Sequence, residues 1–243
     1  PMKTALNIAL SGYGKMGRLI EKIALQRGHR IVARIDTHTG AADFAGADVV
    51  VDFSTPASAP DNLLDCARAG IPAVCGTTGW ADRYPEVCQA VEKAGSALLY
   101  SSNFSLGVNL FFALNQTLAR LMAPYPQYHA EIEEVHHIHK LDAPSGTAIT
   151  LAEGLLEHNP RYTGWTLETD TPAPQDQLPI RAIRQGEIPG IHTVRYTSPV
   201  DTLAIRHEAF SREGFALGAV IAAEWIVGRR GIFSMRDVLC AEK

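Results

Sequence analysis

Short apolar runs alternate with segments of helical spacing over the first hundred residues. The apolar runs are rich in Val, Ile, Leu and Ala, and they occupy residues 6–10, 30–36, 48–53, 72–75 and 97–100. Strands of a parallel sheet are buried on both faces and therefore read as continuous apolar runs, with a crossover helix between neighbours. The pattern predicts an α/β domain built on a doubly wound parallel sheet, over residues 1–103.

After residue 103 the strand-like segments change character. Apolar and polar side chains alternate in residues 129–137, 178–184, 192–197 and 202–210. Such alternation is typical of a sheet with one buried face, either antiparallel or mixed. We therefore predict a second domain of the α+β class over residues 104–215.

Helical spacing in this second part is confined to residues 106–121 and 145–157. Residues 159–177 are rich in Pro, Thr and Asp and are expected to form a long loop. The helical pattern resumes near residue 214, and we expect residues 216–243 to form C-terminal helices that return to the first domain.

Composition and charge argue against several classes of protein. Of the 243 residues, 46% are hydrophobic, and 26 Asp or Glu against 22 Lys or Arg give a net charge of −4. This mild acidity provides no electrostatic reason to bind nucleic acid or an anionic membrane. The four cysteines form no CxxC pair, and the first apolar run is too short for a signal peptide or a membrane span. We therefore expect a cytoplasmic protein with reduced thiols.

A glycine-rich turn follows the first predicted strand and opens the first helix. It has the pattern GxGxxG and comprises Gly12, Tyr13, Gly14, Lys15, Met16 and Gly17, while Asp36 ends the second predicted strand. In dinucleotide-binding domains of the Rossmann type, such glycines bring the backbone close to a pyrophosphate, and the acid accepts hydrogen bonds from a ribose. The alternative is a plain glycine turn in a sheet of the same kind. Context and spacing favour a dinucleotide site.

Small polar residues follow two further strands. Gly76, Thr77 and Thr78 come after the fourth strand, and the fifth is followed by Ser101, Ser102, Asn103 and Phe104. Open α/β sheets bind ligands at the carboxyl ends of their strands, so we expect both segments to line the cofactor.

The segment HHIHK places several ionisable groups directly before a predicted helix start. His136 and Lys140 are four residues apart and would share a face in either an extended or a helical segment. The helix start that follows contains Ser145, Gly146 and Thr147, whose backbone N–H groups would be available to an anion. A proton donor, a cation and an anion site so close together suit an anionic substrate that must gain a proton.

Three other interpretations of this segment remain open. His137 and His139 could bind a metal, but Lys140 would repel a cation and no cysteine is near, so no metal site is expected. Ser145 could be a nucleophile, but it lacks the GxSxG pattern. The segment could also be a solvated loop rich in histidine. For the whole protein, the alternatives are a non-catalytic dinucleotide-binding sensor and a different reductase of small anionic substrates.

Several motifs together resemble one family. The quoted stretches are SGYGKMGR, VVDFSTP, GTTGW, SSNFSLGVN, EIEEVHHIHKLDAPSGTA and GIFSMRDVL. They resemble the dihydrodipicolinate (4-hydroxy-tetrahydrodipicolinate) reductase family of bacterial lysine biosynthesis. The resemblance implies a Rossmann domain, a substrate domain on an open mixed sheet, and a homotetramer joined through those sheets. It also implies that NADH or NADPH reduces a cyclic imine dicarboxylate to tetrahydrodipicolinate, in the diaminopimelate and lysine pathway.

The resemblance also implies roles for individual residues. His136 would be the proton donor and acceptor, Lys140 a second proton donor, and His137 a substrate contact. Gly146 and Thr147, next to Ser145, would hold a substrate carboxylate. The turn from Gly12 to Met16, Asp36, and the segments after the fourth and fifth strands would line the cofactor.

The choice of coenzyme is expected to lean towards NADH. Asp36 should accept from ribose hydroxyls and repel a 2′-phosphate. Lys15, Arg34 and His38 oppose that preference, because Arg34 shares a strand face with Asp36 and could neutralise it or meet a phosphate. We therefore expect both coenzymes to work.

Overall fold

The computed structural model describes residues 5–36, 41–169 and 173–240, and it divides the chain into two compact units. The first unit contains the chain through Leu106 and again from Glu213, and the second is Gly107–Arg212. His38 lies outside the described residues, so its expected effect on the cofactor stays a prediction.

The elements alternate as the apolar pattern predicts. The strands are β1 (Asn7–Ser11), β2 (Arg30–Ile35), β3 (Val49–Asp52), β4 (Ala73–Cys75), β5 (Ala97–Tyr100), β6 (His129–His136), β7 (Gly164–Leu167), β8 (Gln177–Arg184), β9 (Ile191–Thr197), β10 (Thr202–Glu208) and β11 (Gly231–Phe233). The helices are α1 (Lys15–Gln26), α2 (Ala59–Ala69), α3 (Tyr84–Ala94), α4 (Leu106–Met122), α5 (Gly146–Leu156), α6 (Glu213–Ile226) and α7 (Met235–Cys240). Two short 3₁₀ helices lie at Ala41–Phe44 and Ala81–Arg83.

The first unit contains a six-stranded sheet in the order β11-β5-β4-β3-β1-β2, with every neighbouring pair parallel. Successive side chains of a strand point to opposite faces. Accordingly Ile8 packs in a core with α1 and α6, whereas Ala9 packs in a second core with α2 and α3. Helices on both faces make this the doubly wound parallel sheet that the sequence predicts.

The C-terminal segment contributes more to the first unit than helices alone. We expected only helices beyond residue 216, but β11 adds a sixth strand beside β5. Three residues that follow a glycine-containing turn are too few to give a periodic signal. On the face of the sheet that α1 also covers, α6 lies very close to the backbone after β5. A Cβ atom at Gly218 would lie 1.6 Å from the carbonyl oxygen of Phe104.

The second unit is built on a five-stranded mixed sheet in the order β10-β9-β6-β8-β7. The central strand β6 runs parallel to β8 and antiparallel to β9. One face of the sheet is buried against α4 and α5, where Ile132, Ile180 and Val194 meet Leu151 and Leu155. The alternating pattern therefore predicted both the strands and the buried face correctly.

The prediction of a long loop over residues 159–177 is wrong in one respect. It contains β7, a strand of four half-buried residues that pairs in parallel with β8 at the edge of the sheet. A short edge strand with neither face fully buried carries no alternation of apolar and polar residues, and its pattern therefore resembles that of a loop. Residues 170–172 of that segment lie outside the described residues.

Among the helices of the described residues, none combines the length and apolar character that crossing a membrane would require.

Candidate active site

The glycine turn between β1 and α1 is shaped by close backbone contacts. Gly12 has φ +85°, and a Cβ atom there would lie 2.2 Å from the carbonyl oxygen of Phe53. A Cβ atom at Gly17 would lie 2.4 Å from the carbonyl oxygen of Gly12. Gly14 differs, because its ideal Cβ atom has nothing within 4 Å. Two glycines therefore fold the turn tightly, and the third leaves open space beside the helix start.

The N terminus of α1 is suited to an anion. Gly14 is its N-cap, no described side chain caps it, and its first turn contains no acidic residue. The first backbone N–H groups of a helix have no intrahelical acceptor and carry partial positive charge. This end of the helix can therefore hold a pyrophosphate.

Two adjacent cavities lie at the carboxyl ends of the strands in the first unit. The larger has a volume of about 530 Å³ and is lined by Ser11, Gly12, Tyr13, Gly14, Ile35, Asp36, Phe53, Ser54, Thr55, Ser58, Asp61 and Asn62. The other has a volume of about 400 Å³ and is lined by Gly14, Lys15, Met16, Phe53, Ser54, Pro56, Gly76, Thr77 and Thr78. Both volumes are in the range of cofactor sites. The cavities thus bring together the glycine turn, Asp36 and the segment after β4.

The segment after β5 is placed differently from the other predicted cofactor residues. Ser101 donates through Oγ to the carbonyl oxygen of Asn103 at 2.8 Å and accepts from its backbone N–H at 3.2 Å. Phe104 is buried in the core, with its ring centroid 5.6 Å from that of Phe53. The residues described as lining the two cavities do not include Ser101, Ser102, Asn103 or Phe104.

Asp36 lies at the edge of the larger cavity, and the backbone N–H of Tyr13 donates to its Oδ1 atom at 3.2 Å. Arg34 makes a different contact from the one we expected. Its Nε donates to the two carboxylate oxygens of Glu21 on α1, at 3.0 and 3.1 Å, and the hydroxyl of Tyr13 also bonds to Glu21. The hydrogen bond from Arg34 lowers the pKa of Glu21, so the pair is ionised at neutral pH.

A buried carboxylate that sequence reasoning missed supports this cleft. Asp52 is 0% exposed at the end of β3 and accepts hydrogen bonds from Thr77 Oγ1 at 2.6 Å, Asn62 Nδ2 at 2.8 Å and Ser54 Oγ at 2.9 Å. These donors come from the residues after β3 and β4 and from α2, so the carboxylate connects the strand ends that line the cavities. An acid at the end of the run VVVD, followed by Phe-Ser-Thr, was the available signal.

The second unit has its own buried carboxylate, near the end of β6. Glu134 and His136 lie two residues apart on the buried face of this strand, and Glu134 is 0% exposed. His136 Nδ1 bonds to one carboxylate oxygen of Glu134. Arg184 donates to both oxygens, at 2.9 and 3.1 Å, and the backbone N–H of Ser145 donates at 3.1 Å.

The register of the sheet brings these side chains close together. His136 is paired with Arg184 across β6 and β8, and Glu134 is paired with His192 across β6 and β9. Facing residues on neighbouring strands lie close enough for direct contact. Arg184 and His192 are about fifty residues beyond the HHIHK segment in the chain, so no local motif includes them.

His192 completes the cluster as a neutral imidazole. Burial, followed by the influence of His136, lowers the pKa of His192 to about 3. Its Nε2 lies 3.1 Å from Ser145 Oγ, which itself accepts from the backbone N–H of Ala148 at 3.2 Å. Nδ1 of His192 is buried and has no hydrogen-bond partner among the described residues.

The remaining residues of the HHIHK segment form a turn rather than a continued strand. β6 ends at His136, and the backbone N–H of Lys140 donates to the carbonyl oxygen of His137 at 3.2 Å. We predicted that His136 and Lys140 share a face because we assumed a regular strand or helix. Since the segment is a turn, that argument does not apply. Lys140 Nζ instead donates to Asp142 at 2.7 and 2.8 Å, and this hydrogen bond lowers the pKa of Asp142.

His137 and His139 also differ in their surroundings. Their ring centroids are 5.9 Å apart. His139 is exposed and bonds to Glu187 at 3.0 Å, whereas Nδ1 of His137 is buried without a partner among the described residues.

Helix α5 begins at Gly146, directly beside the cluster. Ser145 is its N-cap, and the ideal Cβ atom of Gly146 has nothing within 4 Å. The hydrogen bonds among the described residues leave the N–H groups of Gly146 and Thr147 without an acceptor. The N terminus therefore combines two available donors with open space, as an anion site requires.

Glu134, His136 and His192 also offer three possible metal-ligand atoms within 4.8 Å of one another. Both oxygens of Glu134 already accept from Arg184, whose positive charge would oppose a cation at the same carboxylate. The arrangement is that of a hydrogen-bonded network, and the prediction of no metal stays a prediction.

These features define a class of protein. A doubly wound sheet with cavities at its glycine turn is typical of dinucleotide-binding enzymes, and a buried imidazole bonded to a carboxylate is typical of proton transfer. Sequence models of one family match both parts of the chain: the one described as dihydrodipicolinate reductase, N-terminus, matches residues 6–104, and the one described as its C-terminus matches residues 107–239. The chain therefore belongs to the dihydrodipicolinate reductase family and is an oxidoreductase.

Individual relatives agree with the family. The 4-hydroxy-tetrahydrodipicolinate reductase of Christiangramia forsetii is 50% identical, over 96% of this chain and 98% of the relative. The enzyme of that name from Archaeoglobus fulgidus is 34% identical, over 96% of this chain and all of the relative. A solved structure, the dipicolinate-bound dihydrodipicolinate reductase from Paenisporosarcina sp. TG-14, aligns with a TM-score of 0.73 at 22% identity, over 95% of this chain and 98% of that one. This last likeness concerns the fold.

The buried carboxylate predicts a pH dependence of stability. Burial by itself raises the pKa of Glu134, but hydrogen bonds from His136 and Arg184 outweigh it and lower the pKa from 4.5 to about 2. A depressed pKa stabilises the fold above the unfolded value, and this contribution is lost as the pH falls from about 4.5 towards 2. We expect the free energy of unfolding of the parent to fall by about 3 kcal/mol more than that of Glu134→Gln over this interval. Urea unfolding across the interval measures it.

Glu187→Gln is the matched control for that measurement, because Glu187 also pairs with a histidine but is exposed. Its stability should follow the parent at every pH. Equal acid sensitivity in Glu134→Gln and the parent would contradict the assignment.

Proposed function

We propose that this chain reduces 4-hydroxy-tetrahydrodipicolinate to tetrahydrodipicolinate with NADH or NADPH, as a step of the diaminopimelate and lysine pathway. Family membership supports the reaction. The observation that carries it at the level of residues is the His136 imidazole, bonded through Nδ1 to the buried Glu134 and close to the open N terminus of α5.

The cavities of the first unit fit the cofactor. The open space at Gly14 and the helix N terminus beside it suit the pyrophosphate, with Gly12, Tyr13, Lys15 and Met16 completing the turn. Asp36 would accept from the hydroxyls of the adenosine ribose, and Gly76, Thr77 and Thr78 would line the rest of the cofactor. The family resemblance assigns Ser101–Phe104 to the same group. When bound, the nicotinamide supplies the hydride.

The substrate would be held at the start of α5. The free N–H groups of Gly146 and Thr147 would bind one carboxylate, and Ser145 would keep the helix start in place through its cap. His137 has a buried Nδ1 atom without a described partner, which suits a polar contact with the substrate. Lys140 would add positive charge and serve as a second proton donor once it exchanges Asp142 for the substrate.

His136 would deliver the proton. After the 4-hydroxyl group has left as water, hydride addition at the ring carbon conjugated with the imine would leave an electron-rich enamine, which would gain a proton from the imidazolium to give the product. Its partner Glu134 stays ionised and accepts from Nδ1, so the proton that leaves is the one on Nε2.

We further propose that the protein is a cytoplasmic homotetramer joined through the sheets of its second units, as the family resemblance implies. The face of that sheet opposite α4 and α5 carries Glu131 and Glu133, which pair with Arg195 and Arg181. Charged side chains in pairs on a sheet face suit a polar contact between copies of the chain.

The first test replaces the proton donor. His136→Gln should lower kcat by roughly 10²–10⁴-fold, the usual range for a lost general acid. The assay is the oxidation of NADH with the freshly made product of dihydrodipicolinate synthase. His139→Gln is the matched control, because this exposed imidazole lies in the same segment. Near-normal kcat in His136→Gln would contradict the role, and absence of turnover in the parent would contradict the proposed reaction.

The second test concerns the anion site. Gly146→Val would fill the space at the start of α5 without meeting a described atom, so we expect the fold to persist and KM for the substrate to rise roughly tenfold or more. Binding of pyridine-2,6-dicarboxylate by calorimetry should weaken in parallel, with NADH affinity unchanged. Thr150→Val is the control, because it places the same side chain one turn further along α5. Equal binding of the dicarboxylate by Gly146→Val and the parent would place the carboxylate elsewhere.

The coenzyme preference is proposed to lean towards NADH. A charge-assisted hydrogen bond from a ribose hydroxyl to Asp36 is worth about 1.5–3 kcal/mol, which solvent and salt reduce at an exposed site. Arg34, the nearest opposing cation in β2, is paired with Glu21 and is therefore less available to a 2′-phosphate. Both coenzymes should work, with NADH favoured by roughly tenfold or less.

Two variants test this preference. Asp36→Ser removes the repelling charge, and Glu21→Gln weakens the hold on Arg34, so each should move the ratio of kcat/KM for NADH and NADPH towards NADPH. The effect should be largest at low ionic strength. Glu187→Gln, which removes an exposed acid from the other unit, should leave the ratio unchanged. An unchanged ratio in Asp36→Ser would remove that residue from the cofactor site.

A further inference from the structure

We propose that Glu134, together with Arg184, is a positioning residue that keeps His136 in the tautomer with its proton on Nδ1, so that Nε2 is the nitrogen that exchanges a proton with the substrate. The inference rests on the proposed function of His136 and adds two residues to which the sequence analysis gave no role: Glu134, within the quoted stretch EIEEVHHIHKLDAPSGTA, and Arg184, outside every quoted motif.

The hydrogen bonds of Glu134 dictate the direction of its bond to His136. One oxygen accepts from Arg184 Nη2 at 2.9 Å and from the backbone N–H of Ser145 at 3.1 Å. The other accepts from Arg184 Nη1 at 3.1 Å and bonds to His136 Nδ1. A carboxylate surrounded by donors is ionised and can only accept. Nδ1 must therefore carry a proton, and in the neutral imidazole the lone pair is on Nε2.

Arg184 makes this geometry rigid. Its guanidinium donates to both oxygens of Glu134 and to the carbonyl oxygens of Asp142 and Ile183, at 2.6 and 2.8 Å. A fully buried carboxylate destabilises the fold unless a cation and hydrogen bonds compensate, and a planar guanidinium does so in a fixed orientation. The register of β6 and β8 places Arg184 directly beside His136.

The surroundings of His136 Nε2 suit a nitrogen that exchanges a proton with the substrate. A Cβ atom at Gly190 would lie 3.0 Å from Nε2, so glycine at this position avoids a tight contact with that nitrogen. His192 approaches His136 edge-on with ring centroids 5.0 Å apart, and its neutral state adds no charge there. The charged groups of the surrounding elements are Glu134 on β6, Arg184 on β8, and Lys140 with Asp142 in the loop.

The kinetic experiment compares Glu134→Gln with Glu187→Gln in the full-length protein. A carboxamide can donate or accept at Nδ1, so it no longer selects one tautomer. We expect kcat of Glu134→Gln to fall roughly 10–100-fold, the usual effect of removing a group that orients a functional imidazole. KM for the substrate and the affinity for NADH should stay near those of the parent. Glu187→Gln removes an exposed carboxylate–histidine pair and should behave as the parent.

A spectroscopic experiment tests the proposal in the parent protein, so its deciding result does not require Glu134→Gln to fold. Long-range ¹H–¹⁵N correlation spectra of the parent, labelled with ¹⁵N-histidine, report which nitrogen of each neutral imidazole carries the proton. The signal of His136 is assigned by its loss in His136→Gln. We expect the Nδ1–H tautomer in the parent and a mixture in Glu134→Gln. The Nε2–H tautomer in the parent would overturn the proposal.

The outcomes separate the two levels of inference. Near-normal kcat in His136→Gln would overturn the proposed role of the imidazole and the positioning proposal with it. A large loss in His136→Gln with parental kcat in Glu134→Gln would overturn the positioning role alone. If Glu134→Gln fails to fold, the tautomer in the parent decides.

Discussion

A carboxylate that is removed from water must be surrounded by hydrogen-bond donors, and this requirement organises each of the two units. Asp52 in the first unit and Glu134 in the second are both 0% exposed; Asp52 is the last residue of β3, and Glu134 lies two residues before the end of β6. Donors must therefore come from neighbouring strands and from a nearby helix or its N-cap. The strand ends and helix starts that satisfy these two acids are the ones that form the candidate sites.

The two carboxylates differ in the chemistry of their donors. Asp52 accepts from hydroxyl and amide groups, which hold Thr77 and Ser54 in place at the edge of the cavities. Glu134 accepts from a guanidinium, an imidazole and a backbone N–H group. Neutral donors make a fixed scaffold suited to binding. An imidazole among the donors adds a group that can give up and take back a proton, which suits a reaction.

Much of the fold follows from periodicity. The five apolar runs of the first unit and the alternating strands of the second are all present, because burial on both faces or on one face leaves a direct mark on the residue pattern. The short strands β7 and β11 escaped prediction, since three or four residues at a sheet edge carry no period. In the first unit, Gly12, Gly14, Asp36 and Thr77 line the two cavities, and their role towards a cofactor stays a prediction.

The sequence by itself determined the class of both sheets, the glycine turn, the family, and the local segment that holds His136, Gly146 and Thr147. Only the tertiary structure decided that Arg34 pairs with Glu21, that Lys140 turns to Asp142, and that Arg184 and His192 join Glu134 and His136. The physical reason is the separation along the chain between the residues that make each contact. Periodicity and motifs record contacts within an element, whereas the partners of a buried charge are set by strand order and register, which bring together residues about fifty positions apart in the chain.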